Sequence, residues 1–258
     1  MTEPEQNRVG LYEGTKFTFA CWLQYPQFYS RDRKHFTYPT SILSLSSGYV
    51  ALLERHKLHV FDQHVRPLQS LSGVFHGLAE GPNLQILTLA KNKDGFHVIK
   101  RFANTRFHYK YTGQVMIRAV KEFENWKTLS KPRFLCHNQN TVFITDLGLH
   151  KIFIVDLTTG KQLVRGYLGE NPGQVRQPTG MVVDDMGNLF VGDSGNNRMG
   201  VYTSHGKFVK VVELMDGRPS SPQGLVRVDN SVYVVLRGDR GAIVRFTMTE
   251  NRGTDVER

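Results

Sequence analysis

The fold is decided by one stretch, Pro178-Thr-Gly-Met-Val-Val-Asp-Asp-Met-Gly-Asn-Leu-Phe-Val-Gly-Asp-Ser-Gly-Asn-Asn-Arg198-Met-Gly-Val-Tyr-Thr-Ser-His-Gly-Lys-Phe208. Short apolar runs alternate in it with turn residues, the signature of strands joined by tight turns. Met181–Val183 reads as one strand, Asp185-Met-Gly187-Asn188 as a turn, and Leu189–Val191 as the next strand. A loop over Ser194–Asn197 leads to Met199–Tyr202, and His205-Gly206 turns the chain into Phe208–Val212. Gly and Asn stand where such turns need positive φ.

The unit repeats at intervals of about 45 residues, a spacing typical of blade or solenoid architectures. One unit earlier, Pro132 opens the pattern, Asn138-Gln-Asn140 turns it, and Val142-Phe-Ile-Thr-Asp146 matches Leu189–Asp193. Lys151 then stands where Arg198 stands, ahead of the turn Thr158-Thr-Gly160, and two further steps back lead to Lys57. Around Lys57 the strands read Pro39–Leu45, Tyr49–Leu53 and Leu58–Phe61. A worn copy with Ile86–Leu89 and Phe96–Ile99 fills the gap, and a last one holds Pro222–Val228, Val232–Leu236 and Ala242–Phe246. Each copy is one small sheet, so the expected fold is all-β, a β-propeller of four-stranded blades forming one domain over residues 1–258.

The N-terminus carries half a unit. Asn7-Arg-Val-Gly-Leu-Tyr12 echoes Asn197-Arg-Met-Gly-Val-Tyr202, and Lys16-Phe-Thr-Phe echoes Lys207-Phe208. Such outer strands would complete a blade begun by the C-terminal segment and remove an exposed sheet edge. That arrangement predicts six blades, with five as the alternative because five inner strands are legible.

Pro178, Gly180, Val183-Asp184, Gly187-Asn188, Val191, Asp193, Asn196-Asn197-Arg198 and Gly206-Lys207-Phe208 resemble the NHL repeat, P-x-G-h-x-V-D-x-x-G-N-h-x-V-x-D-x-x-N-x-R-h, where h is apolar. The match is specific over this unit, fair over Pro132–Gly169, and elsewhere confined to the strand-and-turn skeleton. The resemblance implies the C-terminal module of the TRIM-NHL ubiquitin ligases, whose RING, B-boxes and coiled coil precede it. No Cys/His zinc spacing occurs in this sequence, so the implied ligase activity lies outside it. The module itself is then expected to be a binding platform for protein partners or ubiquitination substrates, with any oligomerisation through other regions.

Bulk properties narrow the classes further. The chain has 40% hydrophobic and 22% charged residues, an ordinary globular composition. The N-terminal residues lack the basic-then-apolar character of a secretory signal, and no apolar run approaches the ~20 residues of a membrane span. Cys21 and Cys136 are too few for a disulfide framework, so reduced thiols and a cytoplasmic address are expected. An excess of 33 Lys+Arg over 23 Asp+Glu gives +10 and favours polyanionic or acidic partners.

Catalytic signatures are missing: no GxSxG, no paired carboxylates and no Cys–His pair point to an active site. Apolar inner strands argue against a channel metal, and His56, His59 and His64 lack the helical spacing that sets two ligands on one face. No cofactor, metal or catalytic residue is therefore assigned. Asp193 and Arg198 recur as Asp146 and Lys151, which favours a structural role, capping a loop and bridging blades. Function is expected on the rim that joins the blades, where Arg31, Arg33, Lys34, Arg55, Lys91, Lys93, Arg176, Arg237 and Arg240 fall. Tyr25 and Tyr29 there interleave aromatics with cations. The combination suits protein recognition, where Tyr and Arg serve as anchors, or single-stranded RNA, whose bases stack and whose phosphates pair.

Overall fold

A computed structural model of the chain describes residues 2–3, 8–13, 18–22, 36, 38–54, 56–105, 108–117, 129–214, 221–237 and 241–248, with side chains from 36 onward. Contacts divide the chain into two compact units, Met1–Met116 and Ile117–Arg258. The fold is an all-β propeller built from successive antiparallel meanders. Among the described residues no helix is long and apolar enough to cross a membrane.

The first unit opens with a sheet of β1 (Thr2–Glu3), β2 (Arg8–Glu13) and β3 (Thr18–Trp22). Blade 1 follows with β4 (Ser41–Ser44), β5 (Val50–Glu54), β6 (Lys57–Phe61) and β7 (Pro67–Ser72). Blade 2 comprises β8 (Phe75–Glu80), β9 (Ile86–Lys91), β10 (His97–Asn104) and β11 (Tyr109–Met116). In the second unit, blade 3 holds β12 (Pro132–Asn138), β13 (Thr141–Asp146), β14 (Lys151–Asp156) and β15 (Gln162–Arg165). Blade 4 holds β16 (Pro178–Val183), β17 (Leu189–Asp193), β18 (Arg198–Tyr202) and β19 (Phe208–Glu213). Blade 5 has three described strands, β20 (Ser221–Val228), β21 (Ser231–Arg237) and β22 (Ala242–Thr247).

Among the described residues the blade count is therefore five, the alternative, rather than the six expected from the N-terminal echo. The physical reason lies in the pairing: β2 bonds to β1 on one side and to β3 on the other, so the N-terminal strands form a sheet of their own.

Strand character follows position in the blade. The middle strands β5, β9, β13, β14, β17 and β18 are buried on both faces, and their sequences are nearly unbroken apolar runs. The outer strand β11 is largely open to water instead, with Lys110, Tyr111 and Thr112 exposed in succession. Cores form between neighbouring blades. Leu53, Leu58, Val60, Phe75, Ile86 and Phe102 join blade 1 to blade 2. Phe143, Ile152, Met181, Val191 and Tyr202 join blade 3 to blade 4, and Phe190, Met199, Val232, Val234 and Phe246 join blade 4 to blade 5.

Two devices set the spacing in the second unit. Thr145 Oγ1 donates to the Thr179 carbonyl at 2.9 Å, and Thr179 Oγ1 donates to the Pro222 carbonyl at 2.7 Å, so hydroxyls stitch blade 3 to 4 and 4 to 5. Gly180 lies against β20 so closely that a Cβ there would sit 2.5 Å from the Leu225 nitrogen. The glycine of the repeat is thus a requirement of backbone approach.

Candidate partner-binding surface

The site grows out of the corner where β17 ends and β18 begins. Asp193 and Arg198 are directly paired in the ladder. Burial of Asp193 at 1% exposure obliges its carboxylate to find donors. Its Oδ2 accepts from Arg198 Nε and Asn196 Nδ2, each at 2.8 Å, and Oδ1 accepts from the Arg176 N–H at 2.6 Å. The outer edge of the Arg198 guanidinium then reaches the segment joining blades 3 and 4. Nη1 donates to the Glu170 carbonyl at 2.7 Å, and Nη2 donates to the carbonyls of Asn171 and Gln174 at 3.3 and 3.2 Å. These contacts make Asp193 and Arg198 loop-holding residues, as their recurrence in the sequence implied.

The connector Gly166–Gln177 is pinned along its whole length. Lys151 Nζ donates to the Gly166 carbonyl at 2.5 Å, Asn196 Nδ2 donates to the Gly169 carbonyl at 2.8 Å, and the Gln177 N–H donates to His150 Nδ1 at 2.9 Å. The Val175 N–H closes the loop on the Tyr167 carbonyl at 2.9 Å, a bridge pairs Leu168 with Val175, and the Val175 side chain is fully buried. Blade 3 repeats the corner with Asp146, which accepts from the N–H groups of Ser130, Lys131, Gly148 and Leu149.

What this scaffold displays is apolar and cationic. Tyr167 is 62% and Leu168 58% exposed although their backbone is fixed. Beneath Tyr167 lies the Lys151 ammonium, 3.8 Å from the ring centroid, a cation–π contact. Burial holds the Lys151 amine below the ordinary lysine value. Arg176, with a side chain 45% exposed, pairs with Glu170 at 3.3 Å on the same loop.

The cations expected on this rim divide into three groups. Lys91 ends β9 and Lys93 stands in the turn after it, both exposed and on blade 2. Arg176 lies on the connector, and Arg237 ends β21 of blade 5, exposed. Tyr25, Tyr29, Arg31, Arg33, Lys34, Arg55 and Arg240 lie outside the described residues. Sequence reasoning missed Tyr167 and Leu168. The signal that could have found them is an apolar pair inside a Gly-rich segment between blades, where no strand is due.

Other polar groups serve the fold. On blade 1, the buried His59 sets Nδ1 2.5 Å from Ser70 Oγ and Nε2 3.4 Å from Glu54 Oε1. The order resembles a hydrolytic triad, yet His59 is 0% exposed and Ser70 lies within a strand, so the chain of contacts ties β5, β6 and β7 together. Apolar surroundings push the Cys136 thiol up, which suppresses thiolate chemistry. No group of three or more His, Cys, Asp or Glu among the described residues could hold a metal ion.

Comparison with known proteins places the Asp193–Arg198 corner in a recognised repeat. Residues 175–202 match the NHL repeat. No curated protein matches the chain. Solved structures similar to it include a protein of unknown function from Bacteroides caccae, at 9% identity and TM-score 0.68 over 93% of this chain and 86% of that one. A luciferin-regenerating enzyme aligns at 11% identity and TM-score 0.65, over 97% and 87%. A catalytically inactive virginiamycin B lyase from Staphylococcus aureus, with quinupristin, aligns at 13% identity and TM-score 0.62, over 97% and 80%. At such identities the likeness is one of fold: this chain is an all-β propeller that carries an NHL repeat.

Proposed function

We propose that the chain is a non-catalytic, cytoplasmic binding platform that recruits protein partners through its blade-connecting rim. The observation that carries this reading is the connector Gly166–Gln177. It holds two large apolar side chains in water while its backbone is fixed by the Asp193, Arg198, Lys151 and Asn196 side chains. Such preorganisation lowers the ordering cost of association, and Tyr and Arg are favoured anchors. In a longer protein of the TRIM-NHL kind, the captured partner would be delivered to a RING that this chain does not contain. The test is a paired Tyr167→Ala and Leu168→Asp variant in quantitative affinity purification from cells. Partners held by the parent chain should be lost while the chain stays folded, its unfolding midpoint lowered by no more than a few degrees; retention of every partner would remove the reading.

A second reading is favoured by the β9–β10 turn, where Lys91 and Lys93 are both exposed. Single-stranded RNA binding there would weaken steeply with salt, since each neutralised phosphate releases counterions. Filter binding of a single-stranded RNA between low and physiological salt tests it, with Lys91→Glu and Lys93→Glu abolishing the salt-sensitive component. Binding that ignores salt, or is absent, dismisses it.

A further inference from the structure

A pocket of about 230 Å³ opens in the first unit, at the strand ends opposite Lys91 and Lys93. It lies between the turn that joins β6 to β7 and the turn that joins β10 to β11. Its floor is Val60, Asp62 and Tyr109, all buried, and its mouth is bounded by His64, Arg66 and His108, all exposed.

The chemistry of the lining is lopsided. Asp62 is its one carboxylate, and that carboxylate is fully engaged. Oδ1 accepts from the N–H groups of His64 and Arg66, each at 2.9 Å. Oδ2 accepts from Arg66 Nε at 2.8 Å and pairs with Nη2 at 2.7 Å. Burial alone would raise the Asp62 carboxyl, but these donors outweigh it and hold it below the ordinary carboxylate range, so it stays ionised. An oxygen so satisfied has little left to offer a ligand. Arg66, by contrast, is gripped along one edge and presents the other, with a side chain 72% exposed. A guanidinium whose orientation is fixed by a carboxylate behind it is prepared to receive a second, planar oxyanion in fork geometry. The amides of Gln63 and Asn104 and the imidazoles of His64 and His108 border the same opening.

We propose that this pocket captures a carboxylate through Arg66, with Asp62 as the positioning residue. The ligand is a monoanionic carboxylate, borne by an acidic side chain of a peptide or by a free organic acid. A single guanidinium already shared with Asp62 matches one planar charge better than the dianion of a phosphate. The pocket stands apart from the protein-recruiting reading of the connector and holds whether or not that reading does.

Amide chemical shifts of residues 62–66, 68–69, 104 and 108–109, followed by NMR on the whole chain, test it with three probes. Butyrate and a capped Gly-Glu-Gly peptide, each carrying one carboxylate, should each shift these residues saturably, with dissociation constants on the order of millimolar. Saturation by the peptide alone would assign the ligand to a polypeptide, and saturation by both to the carboxylate itself. Inorganic phosphate at equal ionic strength should bind at least tenfold more weakly. Arg66→Gln should abolish saturation, and Arg66→Lys should weaken it severalfold, because charge survives but the fork does not. No saturable shift with either carboxylate, equal binding of phosphate, or undiminished binding by Arg66→Gln in a folded chain would overturn the proposal.

Discussion

The corner of blade 4 and the corner of blade 2 occupy the same place in their sheets and are built from opposite chemistry. In blade 4 the last residue of the second strand is Asp193, facing Arg198 across the ladder, and the pair secures the connector. In blade 2 the equivalent partners are Lys91 and His97, two basic residues. His97 is buried, while Lys91 points to water. His76 lies beside this corner, its ring 6.3 Å from that of His97. Burial, with the nearby Lys91 charge adding to it, holds His76 below the ordinary histidine value. Where the second strand ends in an acid, that acid is buried and holds the cation opposite it; where it ends in lysine, the ammonium stands in water and the residue opposite is a buried histidine.

The largest effect should come from breaking the intact corner. Asp193→Ala leaves the 14%-exposed Arg198 side chain without its counter-charge, which costs about 3–5 kcal/mol for a buried pair. Urea unfolding should register that loss. Lys91→Ala in the blade 2 corner should stay within about 0.5 kcal/mol, as exposed positions do. Equal losses at the two sites would void the contrast.

Backbone approach comes next. Gly180→Val forces a side chain into the β20 backbone, and overpacking of this kind costs roughly 1–3 kcal/mol. Gly224→Ala meets nothing within 4 Å and should be milder, as the midpoints of the two variants will show. Removing the ring over the buried ammonium with Tyr167→Ala should cost only about 0.5–1 kcal/mol, as read by thermal unfolding.

The smallest effect is a pH dependence. Hydrogen bonds from the Thr159 N–H and hydroxyl, then from Thr158 and Asn140, lower the Asp156 carboxyl below its ordinary value. A group depressed in the folded state adds stability that is present above its unfolded pKa and lost as pH falls through the folded one. The parent chain should therefore lose part of its advantage over Asp156→Asn only below about pH 4. A constant difference between the two from pH 7 to pH 3 would contradict the assignment.

The middle strands were legible because burial on both faces leaves an apolar run that composition alone exposes, as in Val142–Ile144 and Ile152–Val155. Outer strands such as β15 and β11 carry mixed residues, since one side meets solvent, and leave no apolar run to mark them. The first strand of blade 2, Phe75–Glu80, was hidden because Gly77 takes φ +62° at a bulge and breaks the alternation. Of the candidate surface, the corner pair Asp193 and Arg198 was readable from its recurrence. Tyr167 and Leu168 were not, because an exposed apolar pair has no repeat to announce it. The Asp62–Arg66 pocket was equally silent, since it joins turns more than a strand apart in the chain.

The hydroxyl stitches have a consequence for how the second unit comes apart. Thr145 holds the first strand of blade 4, and Thr179 within that strand holds the first strand of blade 5. A blade is then not the natural quantum of opening, because releasing one strand orphans a carbonyl on its neighbour. Native-state hydrogen exchange should find β13, β16 and β20 sharing one opening free energy, while the outer strands β15 and β19 exchange earlier and independently. Protection would run across the blades, along their inner edges, rather than within them.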